Sequence, residues 1–418
     1  MDIAPIIVFI GTLIFLAHLF AGIFRRARIP DVLFLFVIGL VLGPVMGIVT
    51  PETFGIAGPV FTTITLVFIL FESGTDLRFD ALRHAFRGTA SLTALNFLTT
   101  MAAVGAIVQM FTDLSPLTAF MLGAIVGGTS SAVVVPLVQQ LNLRPHSAAI
   151  LILESSFSDV FTIVIPLALI EAFKRGEVHL GFMGGQMILA FIAAVLLGVG
   201  GAFAWSTLLN KVRTLRNAIF TTPAFVFVIF GLAEMLGYSG PIAALAFGAT
   251  LGNVEHLRVP LLERYTPHEP VALIEIERAF FSEVVFLLKT FFFVYIGISI
   301  QVTHAAYISL GLILTLAMFL IRLPVVRLTA PRSTPPADAA RMAVMIPKGL
   351  GAAVLASIPL QRGVPGGELI QHVTFSIILF TTIFTTILIF LQDRTALLKS
   401  YERLFHGFGR PDEPIGGP

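Results

Sequence analysis

Long runs of apolar residues, separated by short polar stretches, form the dominant pattern along this chain. A helix that crosses a bilayer needs about 20 predominantly apolar residues. Runs of that order occur at 3–24, 31–49, 58–75, 87–110, 116–140, 147–172, 180–209, 217–237, 239–254, 280–300, 305–328, 339–361 and 369–392, of which the ninth is short. The pattern predicts an all-α polytopic membrane protein with thirteen transmembrane helices.

The composition supports the membrane class. Hydrophobic residues make up 56% of the 418 positions, charged residues make up 12%, and the mean hydropathy is +0.95. A soluble domain carries about twice that charged fraction. The absence of cysteine excludes disulfides and thiolate metal sites. Basic residues stand in short loops between apolar runs, so no nucleic-acid partner is expected.

Lysine and arginine are distributed unevenly between the two sides that thirteen spans define. One side collects 20 of them, and the other side holds Lys174, Arg175 and Arg362. By the positive-inside rule the first side is cytoplasmic. This predicts a cell (inner) membrane protein with its N-terminus outside and residues 395–418 as a short cytoplasmic tail. The first run lacks a charged n-region and a cleavage site, so it is predicted to be a transmembrane helix and not a signal peptide.

The run 147–172 carries two carboxylates at membrane depth, Glu154 and Asp159. Such groups cost roughly 2.5–3.5 kcal/mol on insertion scales, and they usually serve a function. Ser155 and Asp159 are four residues apart and share a helix face, which indicates an oxygen site for an ion. Glu154 diverges from Asp159 by about 140°, so we interpret it as facing a structural cation. The alternative is that both carboxyls are neutral, hydrogen-bonded packing residues.

Two pairs of similar segments indicate an internal repeat. Ile38–Pro44 matches Phe247–Asn253, and Val126–Leu137 matches Ile346–Ile358, with an offset of about 210–220 residues. An odd number of spans separates the members, which makes the repeats inverted. Gly and Pro cluster in the middle of the second pair, which predicts two crossed discontinuous helices beside a binding site. The alternative is that glycine only permits close helix packing.

The predicted break in the run 116–140 brings hydroxyls toward this site. Thr129 and Ser130, followed by Ser131, stand at the break. Hydroxyl and freed carbonyl oxygens suit a hard monovalent cation, although membrane serines often bond only their own backbone. Asp159 would take a proton at low pH and a cation at high pH, so that exchange follows. Lys348, at the second break, and Arg322 are both candidate partners for Glu154 in a structural ion pair.

Several stretches, in this order, resemble the monovalent cation/proton antiporter superfamily, the Na+/H+ exchangers that include NhaP-type and NhaA-type proteins. They are PDVLFLFVIGLVLGP, LVFILFESGTDL, GAIVGGTSSAVVVPL, ESSFSDV, SGPIAALAFGATLGN, FFFVYIGISI, FLIRLPVVRL and IPKGLGAAVLAS, spread over about 360 residues. The resemblance implies the NhaA-like fold and a homodimer with elevator-like movement. Within a single antiporter unit, 1–394, it implies a core domain around 58–172 and 280–392 and a dimerisation domain around 3–49 and 180–254.

The resemblance also implies roles for single residues. Asp159, Ser155, Thr129, Ser130 and Ser158 are the expected cation and proton ligands. Ser158 stands where Asn is usual in electroneutral members and Asp in electrogenic ones, which favours one-for-one exchange but removes an amide that braces the crossover. Many Na+/H+ exchangers carry Thr-Asp where this chain has Thr129-Ser130, which weakens the case for Na+ over K+. Lys348 stands where many members have Arg.

The preferred interpretation is a secondary antiporter without cofactors that exchanges Na+, Li+ or K+ for H+. A K+/H+ antiporter is the nearest alternative. A sodium-coupled organic-anion symporter would need a larger polar cavity than these few hydroxyls indicate. An intramembrane enzyme with Glu154 and Asp159 as acid and base is disfavoured by their five-residue spacing.

Overall fold

The computed structural model describes residues 3–27, 31–54, 57–76, 86–141, 143–174, 180–214, 218–255, 272–300, 305–394 and 397–409. Within these ranges the regular structure is entirely helical. The helices are α1 (Ile3–Ala27), α2 (Asp31–Leu40), α3 (Ala57–Asp76), α4 (Phe86–Phe111), α5 (Pro116–Ile125), α6 (Ser131–Gln140), α7 (Pro145–Lys174), α8 (Leu180–Val212), α9 (Thr221–Met235), α10 (Gly240–Asn253), α11 (Glu275–Ser299), α12 (Ala305–Thr329), α13 (Pro336–Val344), α14 (Leu350–Gln361), α15 (Gly367–Arg394) and α16 (Leu397–Leu404).

Membrane-spanning character is clearest in the longest helices. Seven helices in the described part of the chain are long and apolar enough to cross a bilayer. They are Thr89–Phe111, Pro145–Phe173, Phe191–Leu209, Ala218–Met235, Glu275–Ser299, Ala305–Thr329 and Gly367–Gln392. The all-helical multi-pass class is thereby confirmed, whereas the count of thirteen spans and the inverted repeat stay predictions. Several loops used for the orientation, among them 77–85 and 256–271, lie outside the described residues.

The two predicted breaks are present. The run 116–140 divides into α5 and α6, with residues 126–130 between them. The run 339–361 divides into α13 and α14, with residues 345–349 between them. Glycines at 127, 128 and 349 and Pro347 stand in these gaps. Such residues interrupt helices because glycine lacks a Cβ and proline lacks a backbone N–H.

The chain divides into two compact units. The first contains Met1–Gly55, Ala85–Pro166 and Thr290–Pro418, and the second contains Ile56–His84 and Leu167–Lys289. In the first unit α12 packs against α4 and α15, and α15 also packs against α14. Helices α1 and α2 belong to this unit and α3 belongs to the second. The assignment of core and dimerisation roles to segments of the chain stays a prediction.

The second unit is built on close packing of α10 against α3 and α8. A Cβ placed on Gly248 of α10 would lie 2.3 Å from the Phe71 carbonyl oxygen, and a Cβ on Gly74 of α3 would lie 2.5 Å from the Leu245 carbonyl oxygen. These contacts are with backbone, which cannot rotate away. Small residues therefore set the distance between the two helices, as is usual in membrane proteins.

We expect Gly248→Ala to destabilise the protein because the added methyl group forces α3 and α10 apart. Overpacking of this kind costs about 1–3 kcal/mol in the free energy of unfolding. Gly200→Ala on α8 is the matched control, since a Cβ there meets nothing within 4 Å. Thermal melting in detergent should fall for Gly248→Ala and not for the control. Equal melting temperatures would contradict this account of the α3–α10 contact.

The part of the tail that the structure describes packs onto the first unit. Phe405 and Phe408 are buried, and the Arg332 guanidinium lies 4.8 Å from the centre of the Phe408 ring. The Gly409 backbone N–H donates to the Arg332 carbonyl at 2.8 Å. Residues 395–396 and 410–418 of the predicted tail lie outside the described residues.

Candidate functional site

The first break lies against α7, and glycine makes this possible. A Cβ on Gly128 would lie 2.1 Å from Thr162 Oγ1 and 2.8 Å from the Ser158 carbonyl oxygen. Any larger residue would therefore push the chain away from α7. The approach brings residues 128–131 onto the segment of α7 that carries the predicted site residues.

Ser158 binds the backbone of the break. Its hydroxyl accepts from the Thr129 N–H at 3.0 Å and donates toward the Thr129 carbonyl oxygen at 3.1 Å. The two hydroxyls of Thr129 and Ser158 lie 3.2 Å apart, and the Ser155 carbonyl is 3.0 Å from Ser158 Oγ. One serine hydroxyl thus contacts both peptide groups of Thr129, and its single proton is shared between the Thr129 and Ser155 carbonyl oxygens. Ser158 therefore contacts the break at the position where the resemblance implies a bracing amide, and the loss of that amide stays a prediction.

Asp159 belongs to α7, and its carboxylate lies beside the first turn of α6. Its Oδ2 accepts from the Ser131 hydroxyl at 2.5 Å, and the Ser131 backbone N–H also donates to the carboxylate. The first turn of a helix carries unpaired N–H groups and a partial positive charge, which favour an anion. Asp159 is half-buried. The carboxylate is therefore held in place by Ser131, on a residue that is not completely enclosed.

Ser131 is a contact residue that the sequence interpretation did not assign to the site. It was noted at the break, but Thr129 and Ser130 were preferred as ligands. Its position as the first residue of α6 is the signal that identifies Ser131 as a contact residue. At a helix N-terminus the backbone N–H has no intrahelical partner, so the N–H and the hydroxyl of Ser131 are both available to an anion.

The remaining predicted hydroxyl ligands make other contacts in this conformation. Ser155 is buried and donates to the Ile152 carbonyl of its own helix at 2.9 Å. The Ser130 backbone N–H donates to the Pro347 carbonyl at 2.9 Å. A Cβ on Gly349 would lie 2.0 Å from Ser130 Oγ. Ser130 therefore occupies the place where the two breaks touch.

Lys348, which lies in the second break, binds the backbone of the first break. Its Nζ donates to the Gly128 carbonyl at 2.7 Å, and its backbone N–H donates to Thr381 Oγ1 at 3.1 Å. The ammonium is buried. Together with the Ser130–Pro347 bond, this contact ties the two discontinuous helices together at their midpoints.

Glu154 forms a buried ion pair with Arg322 of α12. Arg322 Nη2 lies 2.6 Å from Glu154 Oε2, and Nη1 donates to Oε1. The side chains of Arg322 and Glu154 are 0% and 1% exposed. Arg322 Nε donates to the Met342 carbonyl of α13 at 3.2 Å. Of the two partners left open for Glu154, the structure pairs it with Arg322, whereas Lys348 binds the first break.

Two discontinuous helices that meet beside a half-buried carboxylate are typical of secondary transporters, whose binding sites lie at such breaks. The family model described as "Sodium/hydrogen exchanger, transmembrane" matches residues 12–391. The chain belongs to this family, as the resemblance implied. It is a cation/proton antiporter and not an enzyme.

Relatives of established identity cover large parts of the chain. Na(+)/H(+) antiporter 1 of Methanocaldococcus jannaschii is 26% identical over 346 residues, which is 77% of this chain and 75% of that protein. The K(+)/H(+) antiporter NhaP2 of Shewanella oneidensis is 28% identical over 196 residues, which is 46% of this chain and 34% of that protein. The solved structure of the sodium proton antiporter MjNhaP1 from M. jannaschii matches with a TM-score of 0.69 at 22% identity, and it covers 92% of this chain and all of that one.

Proposed function

We propose that this antiporter exchanges Na+ for H+ one for one by alternating access, with Asp159 binding the cation and the proton competitively. The proposal rests on the placement of Asp159. This half-buried residue of α7 has its carboxylate beside the first turn of α6, where it accepts a hydrogen bond from Ser131. A carboxylate that is oriented by a neighbouring hydroxyl, on a residue that is not completely enclosed, is suited to bind a cation and a proton in turn.

The coupling follows from charge. An empty anionic site pays a desolvation penalty when it crosses a low-dielectric barrier, whereas a site neutralised by Na+ or H+ avoids most of it. The empty carrier is therefore disfavoured from changing sides. Net flux then requires one cation to move for each proton in the opposite direction.

Ligands beyond Asp159 come from the first break and from α7. Thr129, Ser130, Ser155 and Ser158 are the proposed sources of hydroxyl and carbonyl oxygens for a dehydrated cation. Ser158 has no charge to titrate, so one cation replaces one proton at this pair of positions. The site adds little charge beyond one carboxylate, which suits a monovalent ion.

The extent of the match to named relatives supports Na+ over K+, whereas the residue at position 130 opposes it. The relative named as a Na+/H+ antiporter matches over 77% of the chain, whereas the one named as a K+/H+ antiporter matches over 46%. Ser130 replaces the aspartate that many Na+ exchangers carry. K+/H+ exchange is therefore the second candidate.

The arrangement in the membrane is part of the proposal. We infer a homodimer with a mobile core domain that carries Asp159, in the cell membrane, with the N-terminus outside and the C-terminus in the cytoplasm. The excess of basic residues on one side supports this orientation.

Purified protein in liposomes that contain a quenched pH dye tests the proposed function. With an imposed inside-acid gradient, external Na+ and Li+ should dequench the dye, whereas N-methylglucamine should not. Clamping the membrane potential with K+ and valinomycin should leave the Na+ signal unchanged, since one-for-one exchange moves no net charge. A response to K+ in place of Na+ would favour the second candidate, and no response to any alkali cation would reject both.

A further inference from the structure

One face of α15 carries buried polar side chains opposite the second break. Thr381, Thr385 and Gln392 are four and seven residues apart, so they lie on the same side of the helix. Thr381 and Thr385 are 0% exposed, and Gln392 is 2% exposed. The family resemblance, the ion pair and the proposed ligands do not account for these three residues.

Each of the three side chains contacts a backbone group of the discontinuous span. Thr381 Oγ1 accepts from the Lys348 N–H at 3.1 Å. Thr385 Oγ1 donates to the Val344 carbonyl at 3.1 Å, and Gln392 Nε2 donates to the Ala340 carbonyl at 3.2 Å. The contacts follow the segment 340–348 from α13 into the break.

Peptide groups in this segment need partners because the helix is interrupted. α13 ends at Val344 and α14 begins at Leu350, so carbonyls of the last turn and N–H groups before the next helix lack intrahelical bonds. In a protein interior, an unpaired peptide group carries a substantial penalty. Arg322 binds the Met342 carbonyl from α12, and α15 supplies the remaining side of this support.

We propose that Thr381 and Thr385 are positioning residues for cation exchange. By holding the backbone at Val344 and Lys348, they keep the Lys348 ammonium on the Gly128 carbonyl and the Pro347 carbonyl on the Ser130 N–H. Those two contacts set the first break, in which Thr129 contacts Ser158 and after which the α6 N-terminus contacts Asp159. The inference rests on the proposed cation site.

Removing the hydroxyl of Thr381 or Thr385 should lower the affinity for the cation more than it lowers the maximal rate of exchange. A break that is free to shift must be ordered when the cation binds, and that ordering subtracts from the binding free energy. The movement of a loaded, neutral carrier does not depend on these two hydroxyls. The apparent KM for the cation should therefore rise while Vmax changes little.

The test compares Thr381→Val and Thr385→Val with Thr381→Ser and Thr385→Ser. Valine keeps the shape and removes the hydroxyl, whereas serine restores the hydroxyl. Thr386→Val is the matched control, because the Thr386 hydroxyl donates only within its own helix, to the Thr382 carbonyl at 2.7 Å. In the liposome assay each of the first two valine variants should raise the KM for Na+ about five- to tenfold. The serine variants and the control should stay within about twofold of wild type.

Hydrogen–deuterium exchange provides a readout that does not require transport. Peptides that contain residues 340–350 should exchange faster in Thr381→Val and Thr385→Val than in Thr386→Val, in the detergent-solubilised full-length protein. If a valine variant transports too poorly for a KM, this measurement decides. Unchanged exchange, or a KM equal to that of the control, would overturn the proposal.

Three further outcomes separate the possible failures. If the serine variants behave like the valine variants, packing and not the hydroxyl matters, and the proposal is wrong. If wild-type protein shows no cation-dependent exchange in the same liposomes, the proposed function fails. If wild type exchanges and the valine variants match it in both measurements, only the positioning role fails.

Discussion

Replacing Asp159 by asparagine is expected to reduce cation-dependent proton exchange to the level of protein-free liposomes, while the folded protein remains intact. Asparagine has nearly the same shape, and its Oδ1 can still accept from Ser131, which donates to Asp159 at 2.5 Å. It can take up neither a proton nor the charge of a cation. The dye signal with Na+, Li+ or K+ should therefore vanish.

The control for this variant is Asp113→Asn, which makes the same chemical change at an exposed position between α4 and α5. It should transport at the wild-type rate. Elution from a sizing column and thermal melting should be close to wild type for both variants, since removing a charge from a partly buried site relieves desolvation. Exchange by Asp159→Asn at the normal rate would reject Asp159 as the shared site of cation and proton.

Local sequence signals predicted the elements of this site better than they predicted its contacts. The glycines before Ser130 and around Lys348 marked both breaks because glycine and proline act on the backbone where they stand. The five-residue spacing of Glu154 and Asp159 correctly placed them on different faces of α7: Glu154 contacts α12, and Asp159 contacts α6.

Contacts between distant segments were harder to predict. Glu154 and Arg322 are 168 residues apart, and their pairing depends on how α7 and α12 are rotated about their axes. Lys348 stands at the predicted crossover, and the sequence favours it over Arg322 as the partner of Glu154. It has a nearer partner, however, in the Gly128 carbonyl that the break exposes. Helix periodicity compares only side chains, so it does not show that a backbone carbonyl freed by a break can bind the lysine in place of Glu154.

The contacts of Ser158 depend on the distance between two segments of backbone. Its serine was expected to lose the bracing that an asparagine provides. Because α7 lies close enough to Gly128 that a Cβ there would clash with Thr162, a hydroxyl is long enough to reach both peptide groups of Thr129. The distance between the break and α7 decides whether a serine side chain can reach the Thr129 peptide groups. That distance is not encoded at any single sequence position.

Removing one member of the Glu154–Arg322 pair is expected to destabilise the protein more than any other substitution considered for this chain. Arg322→Met leaves a carboxylate buried at 1% exposure without its cation, and Glu154→Leu leaves an uncompensated guanidinium. Breaking a buried ion pair costs about 3–5 kcal/mol. Both variants should yield little folded protein, as judged by elution profile and melting temperature, before any effect on transport is considered.

The double variant Glu154→Leu with Arg322→Met separates the charge effect from packing. Replacing both partners by apolar residues removes the buried charges together, and such replacements are often neutral or stabilising. The Met342 carbonyl loses its bond from Arg322 Nε, so recovery should be large but incomplete. Arg403→Met, at an exposed position of α16, should melt like wild type. A double variant whose loss of stability equals the sum of the losses in the two single variants would mean that the two charges are not coupled, because a double-mutant cycle reports only their mutual interaction.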